Sequence, residues 1–63
     1  MVRVSYRGST WEVEPGSTVR HIMEEAGLNP DSLLALRDGK LISEETLTQD
    51  GDGIKLITVV SGG

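Results

Sequence analysis

Val2, Val4 and Tyr6 alternate with Arg3, Ser5 and Arg7, and Trp11 and Val13 alternate with Thr10, Glu12 and Glu14. A side-chain period of two is that of a strand with one buried face. Gly8-Ser9 between the runs makes a short turn, so the first fourteen residues predict a β-hairpin. Pro15-Gly16 ends the second strand, because proline cannot donate to the ladder. Ser17 or Thr18 can then cap a helix through its hydroxyl. Val19, Ile22, Met23 and Ala26 recur at helical spacing as one apolar stripe, with Arg20, His21, Glu24 and Glu25 on the other side. Gly27 suits the residue just past the helix end, and Pro30 forbids continuation.

The second half returns to strand-length runs. Residues 33–36 are apolar, Asp38-Gly39 is a turn signal, and Lys40, Leu41 and Ile42 can come back as a short edge strand. Residues 43–53 are polar and rich in Gly and Asp, with Leu47 predicted to pin this loop onto the core. Residues 54–60 form the last strand, rich in β-branched side chains. The fold class is therefore α+β, a mixed sheet of four to five strands with one helix packed on one face. Alternation assigns Val2, Val4, Trp11, Val13, Leu34, Leu36, Ile54 and Leu56 to the helix-covered face. The opposite face then carries Arg3, Ser5, Ala35, Arg37, Lys55, Ile57 and Val59, with Leu33 nearby. Apolar residues gathered on an uncovered face mark a surface for a partner, so Ile57, Val59, Ala35, Leu33 and Arg37 are the candidate docking residues.

Composition narrows the function. Sixty-three residues make one small domain, with no second lobe to build a catalytic cleft, so the expectation is a protein that is not an enzyme. There is no cysteine, hence no disulfide, thiolate nucleophile or Cys-based zinc site, and His21 is alone. Ten acids against six bases give a net charge of −4, which argues against direct nucleic-acid binding and suits a partner with a basic docking face. Tyr6 and Trp11, the two aromatic residues, are too few for a base-stacking platform. No apolar run has the length to cross a membrane and no signal-peptide core opens the chain, so the expected location is the cytoplasm.

The last two residues change the picture most. Gly62-Gly63 carries no side chains, so residues 61–63 are expected as a thin, extendable tail on a domain spanning residues 1–60. Such a tail fits a channel closed to any residue with a Cβ, and its carboxylate is the group an ATP-using partner could activate. Other candidate chemistry is weaker. Asp50-Gly51-Asp52-Gly53 has part of a calcium-loop pattern, but Val59 stands where the pattern needs a glutamate, so these aspartates read as supports for a turn. The pairs Glu24-Glu25 and Glu44-Glu45 have no pocket to raise a pKa and read as solvated charge. Lys40 and Lys55 read as solubilising charge rather than as acceptors of a modifier.

The helix entry Pro15-Gly16-Ser17-Thr18-Val19, the segment Leu34-Ala35-Leu36-Arg37-Asp38-Gly39 and the closing run from Asp50 to Gly63 occur in an order that resembles the ubiquitin-like β-grasp proteins. The likeness is greatest to the sulfur carriers of the ThiS/MoaD family. That resemblance implies that an adenylating enzyme of the ubiquitin-activating type, using ATP and magnesium, activates the Gly63 carboxylate. A persulfide protein would then donate sulfur to form a thiocarboxylate, for use by a downstream synthase or thiolase. Gly63 is the implied carrying residue, while Gly62 and Ser61 give access. No cofactor is implied on the carrier itself. The closing strand has Thr58 and Val59 where molybdopterin-type carriers often have prolines, which favours thiamine biosynthesis or tRNA thiolation. The tail also lacks the arginines that precede the diglycine of eukaryotic ubiquitin. The alternative the resemblance leaves open is a modifier joined to lysines through Gly63.

Overall fold

A computed structural model describes residues 1–59, in which five strands, one α-helix and one 3-10 turn build a single mixed sheet with the helix across one face. The elements are β1 (Val2–Tyr6), β2 (Ser9–Val13), α1 (Val19–Glu25), the 3-10 turn (Pro30–Ser32), β3 (Leu33–Arg37), β4 (Lys40–Ile42) and β5 (Gly53–Thr58). Strand order is β2-β1-β5-β3-β4, with β1 and β5 parallel in the middle and the other neighbours antiparallel. The order of elements matches the sequence expectation, except for the 3-10 turn. Asn29 and Pro30 announce it: the Asn29 side chain accepts from the Asp31 N–H at 3.0 Å, and proline occupies the first position of the turn.

The first hairpin turns on Arg7-Gly8 rather than Gly8-Ser9, and Ser9 already pairs with Tyr6. Both turn residues have positive φ, 50° and 83°, which matches the right-handed twist of the flanking strands. Thr18 is the helix cap: its hydroxyl accepts from the His21 N–H at 3.1 Å. The next two orphan N–H groups, of Val19 and Arg20, donate to the carbonyls of Thr46 and Glu44. At the other end, Gly27 at φ +76° donates to Glu24 and Leu28 donates to Met23, the paired bonds of a Schellman motif.

The core lies between helix and sheet: Val2, Val4, Val19, Ile22, Met23, Leu33, Ala35, Ile54 and Leu56 form one buried cluster. Ala26, expected in the stripe, is exposed because the helix ends there. Leu47 is likewise exposed, at 61%. The loop is pinned instead by Thr48, which is buried. Its hydroxyl donates to the Ser17 carbonyl at 2.9 Å, its N–H donates to the same oxygen, and its carbonyl accepts from Gly16. A polar residue can occupy such a position because all its hydrogen-bonding groups find partners there.

Candidate functional site

The largest correction concerns β3. Leu33 and Ala35 face the helix and are buried, whereas Leu34 is 38% exposed on the opposite face. Neither Leu33 nor Ala35 can therefore contribute to a docking surface. The run Leu33-Leu34-Ala35-Leu36 is apolar at both parities, so alternation within it cannot choose a face. The neighbouring strand chooses: Ala35 lies opposite Leu56 and Arg37 opposite Ile54, and paired residues share a face. Ala35 and Met23 both belong to the buried cluster, 2% and 1% exposed.

Arg37 is also displaced from the expected surface. It sits on the helix side at the end of β3, and its Nη1 is 3.2 Å from Oδ2 of Asp52. The same carboxylate oxygen accepts from the Gln49 N–H at 2.8 Å. Arg37 thus ties β3 to the loop entering β5, a structural pairing. The Asp50–Gly53 segment acts as a turn of this kind, and among the described residues no group of three His, Asp or Glu side chains could hold a metal ion.

What remains outside is a compact apolar set. Leu34 pairs across the ladder with Ile57, and Leu36 pairs with Leu41 on β4, all on the face away from the helix. Val59 follows, its N–H bonded to the Ser32 carbonyl in continuation of the β3–β5 ladder, and it too is exposed. Lys55 and Ser5 stand next to each other on the adjoining strands of the same face, and Arg3 lies on β1 beyond them. The outer face is therefore apolar over β4, β3 and the last part of β5, and basic and polar over β1. Ile57 and Val59 are where the sequence placed them. Leu34 and Leu36 are the residues that sequence reasoning put on the helix side, and Leu41, which it assigned to neither face, joins them; the pairing of β3 with β5 and β4 is the signal that would have found all three.

The direction of β5 gives this face its meaning. The strand runs from Gly53 to Thr58 through the centre of the sheet, and the Thr58 hydroxyl meets the Tyr6 hydroxyl at 3.3 Å beside the first hairpin. Val59 carries the chain past the end of the sheet, at the margin of the Leu34–Ile57 patch. The expected last strand, residues 54–60, is found as Gly53–Thr58; Val60, Ser61, Gly62 and Gly63 lie outside the described residues. The charges on the helix side are mostly paired: Arg20 bridges Glu24 at 3.5 Å and Glu44 at 3.0 Å, and His21 meets Glu25 at 3.2 Å. The Asp50 carboxyl is held below its ordinary value by a hydrogen bond from the Met1 ammonium and by that group's charge. Among the described residues no helix is long and apolar enough to cross a membrane.

A mixed five-stranded sheet with the first and fifth strands parallel in its centre and one helix across one face defines a ubiquitin-like β-grasp protein. Solved structures agree on that fold. The N-terminal ubiquitin-like domain of the 4931431F19Rik protein superimposes with a TM-score of 0.70 at 20% identity, covering 98% of this chain and 76% of that one. The crystal structure of SAMP1 from Haloferax volcanii gives a TM-score of 0.58 at 20% identity, covering 98% and 96%. Sequence comparison is more specific. Residues 3–63 match the ThiS family, and the chain is 33% identical over 52 residues to the sulfur carrier protein TtuB of Thermus thermophilus, covering 82% of this chain and 80% of that protein. The chain belongs to the ThiS family of sulfur carriers.

Proposed function

We propose that this protein carries sulfur as a thiocarboxylate on Gly63, taking it from an activating enzyme to a sulfur-using enzyme. The observation that carries the reading is the family match, which runs through to Gly63 and so includes the diglycine. A glycine carboxylate is a poor acyl donor. Attack of its oxygen on the α-phosphate of ATP, with magnesium on the departing pyrophosphate, makes a mixed anhydride whose leaving group is AMP. The terminal sulfur of a persulfide then attacks the carbonyl carbon and expels AMP. Cleavage of the resulting sulfur–sulfur bond by a thiol releases the thiocarboxylate. ATP, magnesium and every catalytic group belong to the partners, and the carrier binds none of them itself.

The geometry supports this division of labour. A body with a well-packed core presents one apolar face beside the end of β5, so a single enzyme can hold the Leu34–Ile57 patch while its catalytic channel receives Gly62 and Gly63. The likeness to a protein called a sulfur carrier favours this role; the reading places it in the cytoplasm, with tRNA thiolation or thiamine biosynthesis as the pathway using the sulfur. The test is ATP–pyrophosphate exchange with the adenylating enzyme of the source organism. The full chain should support exchange, and deletion of Gly62-Gly63 should abolish it while leaving the circular dichroism spectrum unchanged. Exchange by the truncated chain, or mass spectra showing only isopeptide-linked Gly63 on lysines and no thiocarboxylate, would overturn the proposal.

A further inference from the structure

The two sides of β5 are held differently where the strand ends. Toward β3 the ladder runs to the last residues: Thr58 lies opposite Leu33, and the Val59 N–H donates to the Ser32 carbonyl at 2.9 Å. Toward β1 it stops earlier. The last parallel pair is Tyr6–Leu56, because the chain of β1 turns away at Arg7-Gly8. Thr58, two residues beyond Leu56 and on the same face, has no ladder partner on that side. A side chain takes the place of one: the Tyr6 hydroxyl stands 3.3 Å from Oγ1 of Thr58. The Tyr6 ring is half-buried and packs against the core cluster, so its hydroxyl sits at the end of a stiff arm with two rotatable torsions. The Arg7 guanidinium carbon lies 5.9 Å from the ring centroid, within the range of cation–π attraction.

We propose that Tyr6 is a positioning residue: its hydroxyl clasps Thr58 to the β1 side and so fixes the end of β5, from which the chain continues to Gly63. The consequence for activity rests on the carrier reading. An activating enzyme has to hold the Leu34–Ile57 patch and seat the Gly63 carboxylate at the same time. Gly63 is five residues beyond Thr58, so any swing of the strand end is passed on to the carboxylate. With Thr58 clasped, fewer arrangements of a docked carrier miss the reacting position. The patch sets how tightly the carrier docks. The clasp sets how often a docked carrier is aligned.

The experiment compares the full chain with Tyr6→Phe and Thr58→Val, each of which removes one hydroxyl and keeps the shape of the side chain. Backbone amide relaxation by NMR should show lower order at Thr58 and Val59 in both variants, with Ile54 and Leu56 unchanged. In ATP–pyrophosphate exchange with the adenylating enzyme, kcat should fall about twofold to fivefold, the scale of one long neutral hydrogen bond, with KM for the carrier unchanged. Leu34→Asp, on the docking patch, should act through KM instead. Thr58→Ser keeps a hydroxyl and should behave as the parent, and the double variant should lose no more than either single one. Unchanged order at Thr58 and Val59, full kcat in Tyr6→Phe, a change in KM alone, or additive losses would each overturn the clasp. A parent chain that fails to exchange would instead strike the carrier reading, and the amide measurement then decides the clasp without any enzyme.

Discussion

Replacing Leu33 and Leu34 by alanine, one at a time, separates the two faces of the sheet at adjacent positions. Leu33 is 8% exposed and packs in the cluster with Met23, Ala35 and Leu56. Removing its three outer carbons forfeits their transfer free energy and leaves a cavity, together about 2–5 kcal/mol. Leu34 is 38% exposed and rests on Ile57, so its truncation should cost about 1 kcal/mol or less. A domain of this length has a total stability of about 3–9 kcal/mol, so the first change removes a large fraction of it and the second a small one. With about 4–8 °C of midpoint per kcal/mol, Leu33→Ala should melt about 8–40 °C below the parent and Leu34→Ala within about 8 °C of it. Thermal and urea unfolding followed by far-ultraviolet circular dichroism measure both. Equal losses, or a greater loss at Leu34, would refute the placement of β3 and with it the position of the docking face.

Leu34→Asp should leave the fold intact and lower the rate of adenylation by the activating enzyme at least tenfold, with Leu41→Asp weaker because Leu41 is at the margin of the patch; unchanged exchange kinetics would remove the outer face from the interaction. Gly27→Ala should cost about 1 kcal/mol, read as a lower melting midpoint, since the position requires φ +76° although a Cβ there meets no atom within 4 Å. The Met1–Asp50 pair gives stability a pH dependence of defined sign. The Asp50 carboxyl is lowered from its ordinary 3.8, so its contribution is present above that value and is lost as pH falls through the folded value. The Met1 amine is raised from its ordinary 8.0, by its hydrogen bond to Asp50 first, so its contribution is full below 8.0 and is lost as pH rises through the folded value. Asp50→Asn should flatten melting midpoint against pH at both ends, and an unaltered profile would show that the pair contributes nothing.

Most of the fold was legible because punctuation and period agreed. Alternation named β1, a hydroxyl and a glycine bracketed the helix, and Asp38-Gly39 marked the second hairpin. The errors arose where local pattern carried no information. Four consecutive apolar residues in β3 have no period, and only the ladder to β5 decides which of them are buried. Thr48 takes the role expected of Leu47 because the pinning force of the loop is hydrogen bonding to Ser17 and Gly16, which hydrophobicity cannot reveal. Arg37 is expected from sequence as a docking residue on the uncovered face, because its partner Asp52 is fifteen residues distant in sequence. Of the candidate site, the diglycine and the pair Ile57 and Val59 came from sequence. The leucines beside them needed the strand pairing.

Whether Gly63 carries sulfur is decided by the mass of the C-terminus. The chain should be incubated with its adenylating enzyme, ATP, magnesium and a persulfide-loaded sulfurtransferase, then measured intact and after proteolysis. Sulfur carriage by Gly63 predicts a C-terminal peptide heavier by the difference between sulfur and oxygen, localised to Gly63 and lost when Gly62-Gly63 is deleted. An unmodified terminus in the presence of an enzyme that adenylates another carrier under the same conditions would contradict it.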